Sequence, residues 1–173
     1  MKKVILVFGL ISGVICSVLM IGQVAFGAHS YLLGYTAIVL SLLLVYFGVR
    51  SYRDNVAKGH ITFGKAFLVG LAITLISCLF YVAAWEIAYF KFMPDFMDKY
   101  GDGIIREMQA SGKSAAEIQA QVEKLNEIKA QYKNPLYNMA YTFMEPFPVG
   151  LVITLISAAI LKRKPPSQSA VAV

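Results

Sequence analysis

Four apolar runs, beginning near Val4, Tyr31, Ala66 and Met144, constrain this chain more than any other feature. Each is about 18 to 25 residues long, and at 1.5 Å per residue a helix of that length crosses a hydrocarbon core of roughly 30 Å. A soluble domain of 173 residues has no use for four such runs, and its apolar share would be nearer one half than 58%. The pattern predicts an all-α polytopic membrane protein with transmembrane helices at about Val4 to Phe26, Tyr31 to Val49, Phe63 to Phe90 and Tyr141 to Leu161.

Charge is partitioned between the ends of these runs. Lys2, Lys3, Arg50, Arg53, Lys58, Lys65, Lys162, Arg163 and Lys164 stand at the N-terminus, between runs two and three, and after run four, with Asp54 the only acid among them. The other side carries a net charge of −2 out of the total of +6. Because Lys and Arg in short loops stay on the cytoplasmic side, both termini and the loop from Arg50 to Lys65 are expected inside and the segment from Lys91 to Tyr141 outside. Such a partition excludes nucleic acid as the reason for the positive charge. The expected organisation is residues 1–90 for helices one to three, 91–140 for an external helical insert, 141–164 for helix four, and 165–173 for a disordered cytoplasmic tail. Met1-Lys2-Lys3 before an apolar run also fits a cleaved signal peptide, but the run is long for that and Ile15 is bulky before Cys16.

Small residues recur along one stripe of three helices: Gly9, Gly13 and Ser17; Ala66, Gly70, Thr74 and Cys78; Gly150, Thr154 and Ala158. Such stripes let helix backbones approach closely in lipid, so Gly9, Gly13, Gly70, Thr74, Gly150 and Thr154 are expected packing positions. The stretch Phe67 to Ser77 aligns without gaps on Phe147 to Ser157, which fits either an inverted repeat of the transporter kind or a shared packing stripe. Cys16 and Cys78 lie near mid-membrane, where two small apolar residues packed between helices are the simpler expectation than a disulfide.

Within the external segment, Phe96, Tyr100, Ile104 and Met108 follow helical spacing, although Gly101 and Gly103 should weaken or bend that helix. Gly112 reads as a stop. Ser114 and Glu117 form a capping box, followed by Ile118, Val122, Leu125, Ile128 and Tyr132 on one face of a second helix. The two should make a helical hairpin inserted between transmembrane helices three and four.

The residues Ser51-Tyr52-Arg53-Asp54-Asn55, Gly59 to Phe67, Gly70, Tyr81 and Trp85 resemble a bacterial membrane-protein family catalogued as domain of unknown function 4199. The resemblance implies a four-helix protein of the bacterial inner membrane and no activity. In physical terms, Gly59 and Gly64 permit a tight re-entry into helix three with Thr62 as its N-cap, so the loop reads as a structural clamp. The rival reading makes Arg50, Arg53, Lys58 and Lys65 contacts for lipid headgroups.

No Cys-x-x-Cys pair, zinc-protease helix, nucleophile elbow or phosphate loop is present, which disfavours an enzyme and implies no cofactor. The candidate chemistry sits at the outer interface. Glu86, Glu145, His29 and Gln23, walled by Trp85, form a set that would hold a divalent cation or cationic ligand if it converged, with the metal unspecified; the plainer expectation is wetted helix ends, with Glu86 paired to Lys91 or a tyrosine hydroxyl. The favoured function is a non-enzymatic scaffold or interaction protein that uses its external hairpin, with membrane lipids and a protein partner or second copy as its contacts. A small transporter or an ion- or lipid-binding protein is the alternative, and a metal-dependent membrane enzyme the third.

Overall fold

A computed structural model describes residues 1–25 and 31–163, with Tyr31 known by its backbone alone. His29 and the expected tail, residues 165–173, lie outside the described residues. The order of elements is α1 (Lys2–Ala25), α2 (Tyr31–Leu42), α3 (Leu44–Asn55), α4 (Phe63–Ile87) running on into one π turn (Ala88–Phe92), α5 (Phe96–Ala110), α6 (Ala115–Tyr132), α7 (Pro135–Phe143) and α8 (Pro146–Leu161). Among the described residues four stretches are long and apolar enough to cross a membrane: Lys2–Ala25, Leu32–Asn55, Phe63–Phe92 and Pro135–Leu161.

Two of the four differ from the expected single helices. The second is interrupted at Leu43, where the Tyr46 N–H closes a tighter turn on Leu43 O at 3.0 Å. At the same level the Ser12 hydroxyl of α1 donates to the Ser41 carbonyl at 2.8 Å, an inserted side chain of the kind that bends helices. The fourth begins six residues earlier than expected and breaks at Met144 and Glu145. Pro146 and Pro148 cause the break, since neither has an N–H to give to Thr142 O or Met144 O, and both rings crowd the preceding turn.

The chain divides into two compact units, Met1–Val82 with Phe143–Val173, and Ala83–Thr142. In the first, α1 packs on α2 and α3, and α8 on α2 and α3, around Leu42, Val45, Val49, Val69 and Ile73. Large apolar side chains stand on its surface as well as in its core, and small hydroxyl side chains are buried among them. Ser12, Ser17, Ser41, Thr74, Ser77, Thr154 and Ser157 are buried, whereas Val18, Leu68, Leu79 and Ile160 are each more than 60% exposed. The hydroxyls are satisfied inside the bundle: Ser77 donates to Gly9 O at 3.2 Å and to its own helix at Ile73 O at 3.0 Å, and Ser17 to Gly13 O at 2.7 Å.

The stripes of small residues are the contacts. A Cβ added to Gly9 would stand 2.8 Å from Ile76 Cβ, and one on Gly13 would stand 2.6 Å from Phe80 Cβ, so α1 and α4 touch almost backbone to backbone. The repeated sequence makes a reciprocal pair between α4 and α8. Gly70 faces Thr154, Gly150 faces Thr74, and the two threonine hydroxyls lie 3.0 Å apart. The repeated stretch thus meets its own copy across the α4–α8 contact. Cys16 and Cys78 are both buried, free thiols.

In the second unit, α5 and α6 pack on each other. Despite Gly101 and Gly103, α5 runs unbroken; a Cβ added at Gly101 would stand 3.7 Å from Leu125 Cδ1 of α6, an ordinary contact. Gly112 ends α5 in a left-handed conformation (φ +69°), with Lys113 N–H on Met108 O and Gly112 N–H on Gln109 O. Ser114 and Glu117 complete the capping box. The Ser114 hydroxyl accepts from the Glu117 N–H, and the Glu117 carboxylate accepts from the Ser114 N–H at 2.9 Å.

Candidate functional site

Three constellations hold the singled-out residues. The first is the loop after α3. Lys58 (φ +53°) and Gly59 (φ +83°) turn the chain, and the Gly59 N–H bonds Arg53 O at 2.8 Å. Ile61 then pairs with Arg163 through two backbone bonds of 3.0 and 2.8 Å, tying this loop to the end of α8. Thr62 accepts from the Lys65 N–H at 3.3 Å, as an N-cap does, whereas Gly64 sits inside the first turn of α4 with open space around it and takes no part in the re-entry. Asp54 engages Arg53 at 2.7 Å and Arg50 at 3.7 Å. No hydrogen bond or ion pair, among the described residues, joins Lys58 or Lys65 side chains to a carboxylate.

The second constellation, in the same unit, centres on Glu145. Its Oε2 accepts from the Tyr81 hydroxyl at 2.8 Å, a bond between the break before α8 and the C-terminal third of α4. Phe143 and Phe147 stack across that break with centroids 4.9 Å apart, and Pro146 between them is fully buried. Gln23 is half-buried on α1, with its Oε1 directed at Gly34 of α2.

The third lies in the second unit and includes a residue that sequence reasoning missed. Asn138 of α7 is fully buried; its Oδ1 accepts from Trp85 Nε1 at 3.0 Å and from the Thr142 hydroxyl at 3.2 Å, and its Nδ2 has no hydrogen-bond partner. Around it the rings of Trp85, Tyr89, Phe96 and Tyr132 contact one another, with Trp85 and Phe96 edge to face at 4.9 Å. The spacing that would have disclosed this residue is Asn138-x-x-x-Thr142, two polar side chains one turn apart on an otherwise apolar nine-residue helix. Leu136 and Met139 on the same helix are exposed.

Glu86 is half-buried, and its Oε1 is shielded from solvent with no partner. No ion pair among the described residues joins it to Lys91. Among these residues no three His, Cys, Asp or Glu side chains come together so as to hold a metal ion. Two carboxylates outside the apolar stretches are perturbed. Bonds from the Ser114 N–H and hydroxyl hold the Glu117 carboxyl below the ordinary carboxylate range, and Lys99 does the same for Asp95.

A family model described as protein of unknown function (DUF4199) matches residues 7–163, from the second turn of α1 to the end of the Ile61–Arg163 bridge. The chain belongs to this family. No curated protein and no solved structure matches it. The match takes in the loop clamp, the reciprocal Gly–Thr pair, Glu86, Asn138 and Glu145, so all three constellations lie within the family's own span.

Proposed function

We propose that the protein is a four-pass integral membrane protein of the bacterial inner membrane that acts without enzymatic chemistry, as a scaffold whose α5–α6 pair meets a partner outside. The apolar outer surface of the first unit carries the membrane reading. Val18, Leu68, Leu79 and Ile160 stand outward around a core already filled with apolar side chains, an arrangement suited to hydrocarbon rather than water. The partition of Lys and Arg supports both termini and the loop from Arg50 to Lys65 on the cytoplasmic side.

The scaffold role is supported by how the polar groups are used. A transporter needs a polar path, but Ser12, Ser17, Thr74 and Ser77 are spent on helix contacts. In the second unit the apolar faces of α5 and α6 meet each other, joined by the Lys129–Asp98 ion pair, and leave Lys99, Arg106, Glu107, Gln119, Glu123 and Lys124 outward. That surface suits recognition by charge and hydrogen bonding. Membrane-impermeant maleimide applied to intact cells should modify a cysteine at Gln119 and spare one at Lys58, and a photo-crosslinker at Lys124 should capture a protein that one at Leu68 does not. The reverse labelling, or a deletion phenotype reproduced by Glu86→Gln while every α5–α6 surface variant is silent, would refute this reading.

A further inference from the structure

Helix α8 is too short to cross a membrane alone. Its 16 residues span about 24 Å, against a hydrocarbon core of roughly 30 Å. The fourth crossing therefore draws its outer part from residues before the break, and the break itself falls within the hydrocarbon. Tyr81 stands at a matching depth, since 18 residues up α4 from Phe63 is about 27 Å. The Tyr81–Glu145 bond at 2.8 Å joins two side chains placed at the same level by independent counts.

Among the described residues, the helices beside the carboxylate bring no Lys, Arg or His to its level: α1 carries no charge after Lys3, α2 none at all, and α4 none between Lys65 and Glu86. Among these residues the titratable groups near Glu145 are Tyr81 on α4, which bonds it, and Cys16 on α1. An ionisable side chain at such a depth is retained for a task rather than for stability, because an unpaired charge there is costly. Among the described residues one carboxylate and one phenol meet here, too few ligands for a metal that takes four or more. A proton needs only one. We propose that Glu145, at the break in the fourth crossing, is a membrane-embedded proton-binding carboxylate with Tyr81 as its fixed donor. The inference rests on the membrane reading above, but it assigns to Glu145 a place inside the lipid instead of at a wetted helix end.

A hydrophobic carbodiimide, dicyclohexylcarbodiimide, reacts with protonated carboxyls inside bilayers, whereas a water-soluble carbodiimide reaches wetted ones. With the full chain in lipid vesicles, peptide mass spectrometry should find the hydrophobic adduct on Glu145, lost on raising the pH and recovered on lowering it, and no adduct from the water-soluble reagent. Mapping on the unaltered protein makes the result independent of whether Glu145→Gln folds. A cysteine at Leu79, tested in the same vesicles with impermeant maleimide, separates the two readings. If Leu79 is protected and Glu145 reacts with the water-soluble reagent, or with neither, the inference fails and the membrane reading stands. If the Leu79 cysteine is modified, both fail.

Discussion

The hydroxyls of Thr74 and Thr154 lie 3.0 Å apart, and each threonine methyl fills the space left by the other helix's glycine, Gly150 and Gly70 respectively. A Cβ on Gly70 would come within 2.9 Å of Thr154 Cγ2, and within 3.3 Å of Val45 and Val49 side chains, so three helices converge on that one position.

Gly70→Leu and Gly150→Leu should each destabilise the bundle by about 1–3 kcal/mol or more, the range for overpacking a filled contact. Leu79→Ala, at a position 63% exposed, should cost much less. Thermal unfolding in detergent checks this, and three indistinguishable melting curves would remove the argument. Thr74→Val combined with Thr154→Val in a double-mutant cycle should show a coupling of about 0.6 kcal/mol, the usual size for hydroxyl bonds between helices in lipid.

Asn138→Leu should unsettle the second unit. It leaves the Trp85 indole N–H and the Thr142 hydroxyl without their shared acceptor, at a cost of about 1–3 kcal/mol for each buried group that finds no other partner. Trp85 is the only tryptophan, so its emission reports the site directly. A red shift with earlier unfolding is expected, and unchanged emission would show that the bond to Asn138 does not hold the indole.

Glu86→Gln should leave stability unchanged or slightly raised, since Glu86 Oε1 is shielded and has no partner to lose. A melting temperature clearly below that of the parent protein would mean that the carboxylate has a partner in the membrane, such as a lipid amine.

The start of α6 should loosen in acid. Glu117 titrates lower in the folded protein than its ordinary value of 4.5, so the capping box contributes stability above that pH, and the contribution is lost as the pH falls through the folded value. Amide exchange in the first turn of α6, corrected for the intrinsic effect of pH, should rise between pH 5 and pH 3 by roughly the factor seen for Glu117→Gln at pH 5. Exchange that does not depend on Glu117 at any pH would contradict the sign.

The apolar runs, the small-residue stripes, the Ser114–Glu117 box and the Gly112 stop were all legible in the chain, because each depends on residues within a turn or two of one another. Even the alignment of Phe67–Ser77 on Phe147–Ser157 disclosed a pair of matching faces. Legibility ended where a partner came from elsewhere. Tyr81 gives its hydroxyl to Glu145, 64 residues away, and Asn138 is buried because Trp85, 53 residues away, supplies its donor.

What the sequence by itself determined is the set of four long apolar helices and the partition of charge between their ends, since length, hydropathy and the count of Lys and Arg are sums over local residues and need no neighbours. The tertiary structure alone decided where those helices bend and which polar groups are satisfied. The bend at Leu43 accompanies a hydroxyl from α1, and the pairing of Glu145 depends on the packing of α4 against α8; a polar atom buried between helices must find its partner across a helix contact, and that choice belongs to the assembled bundle.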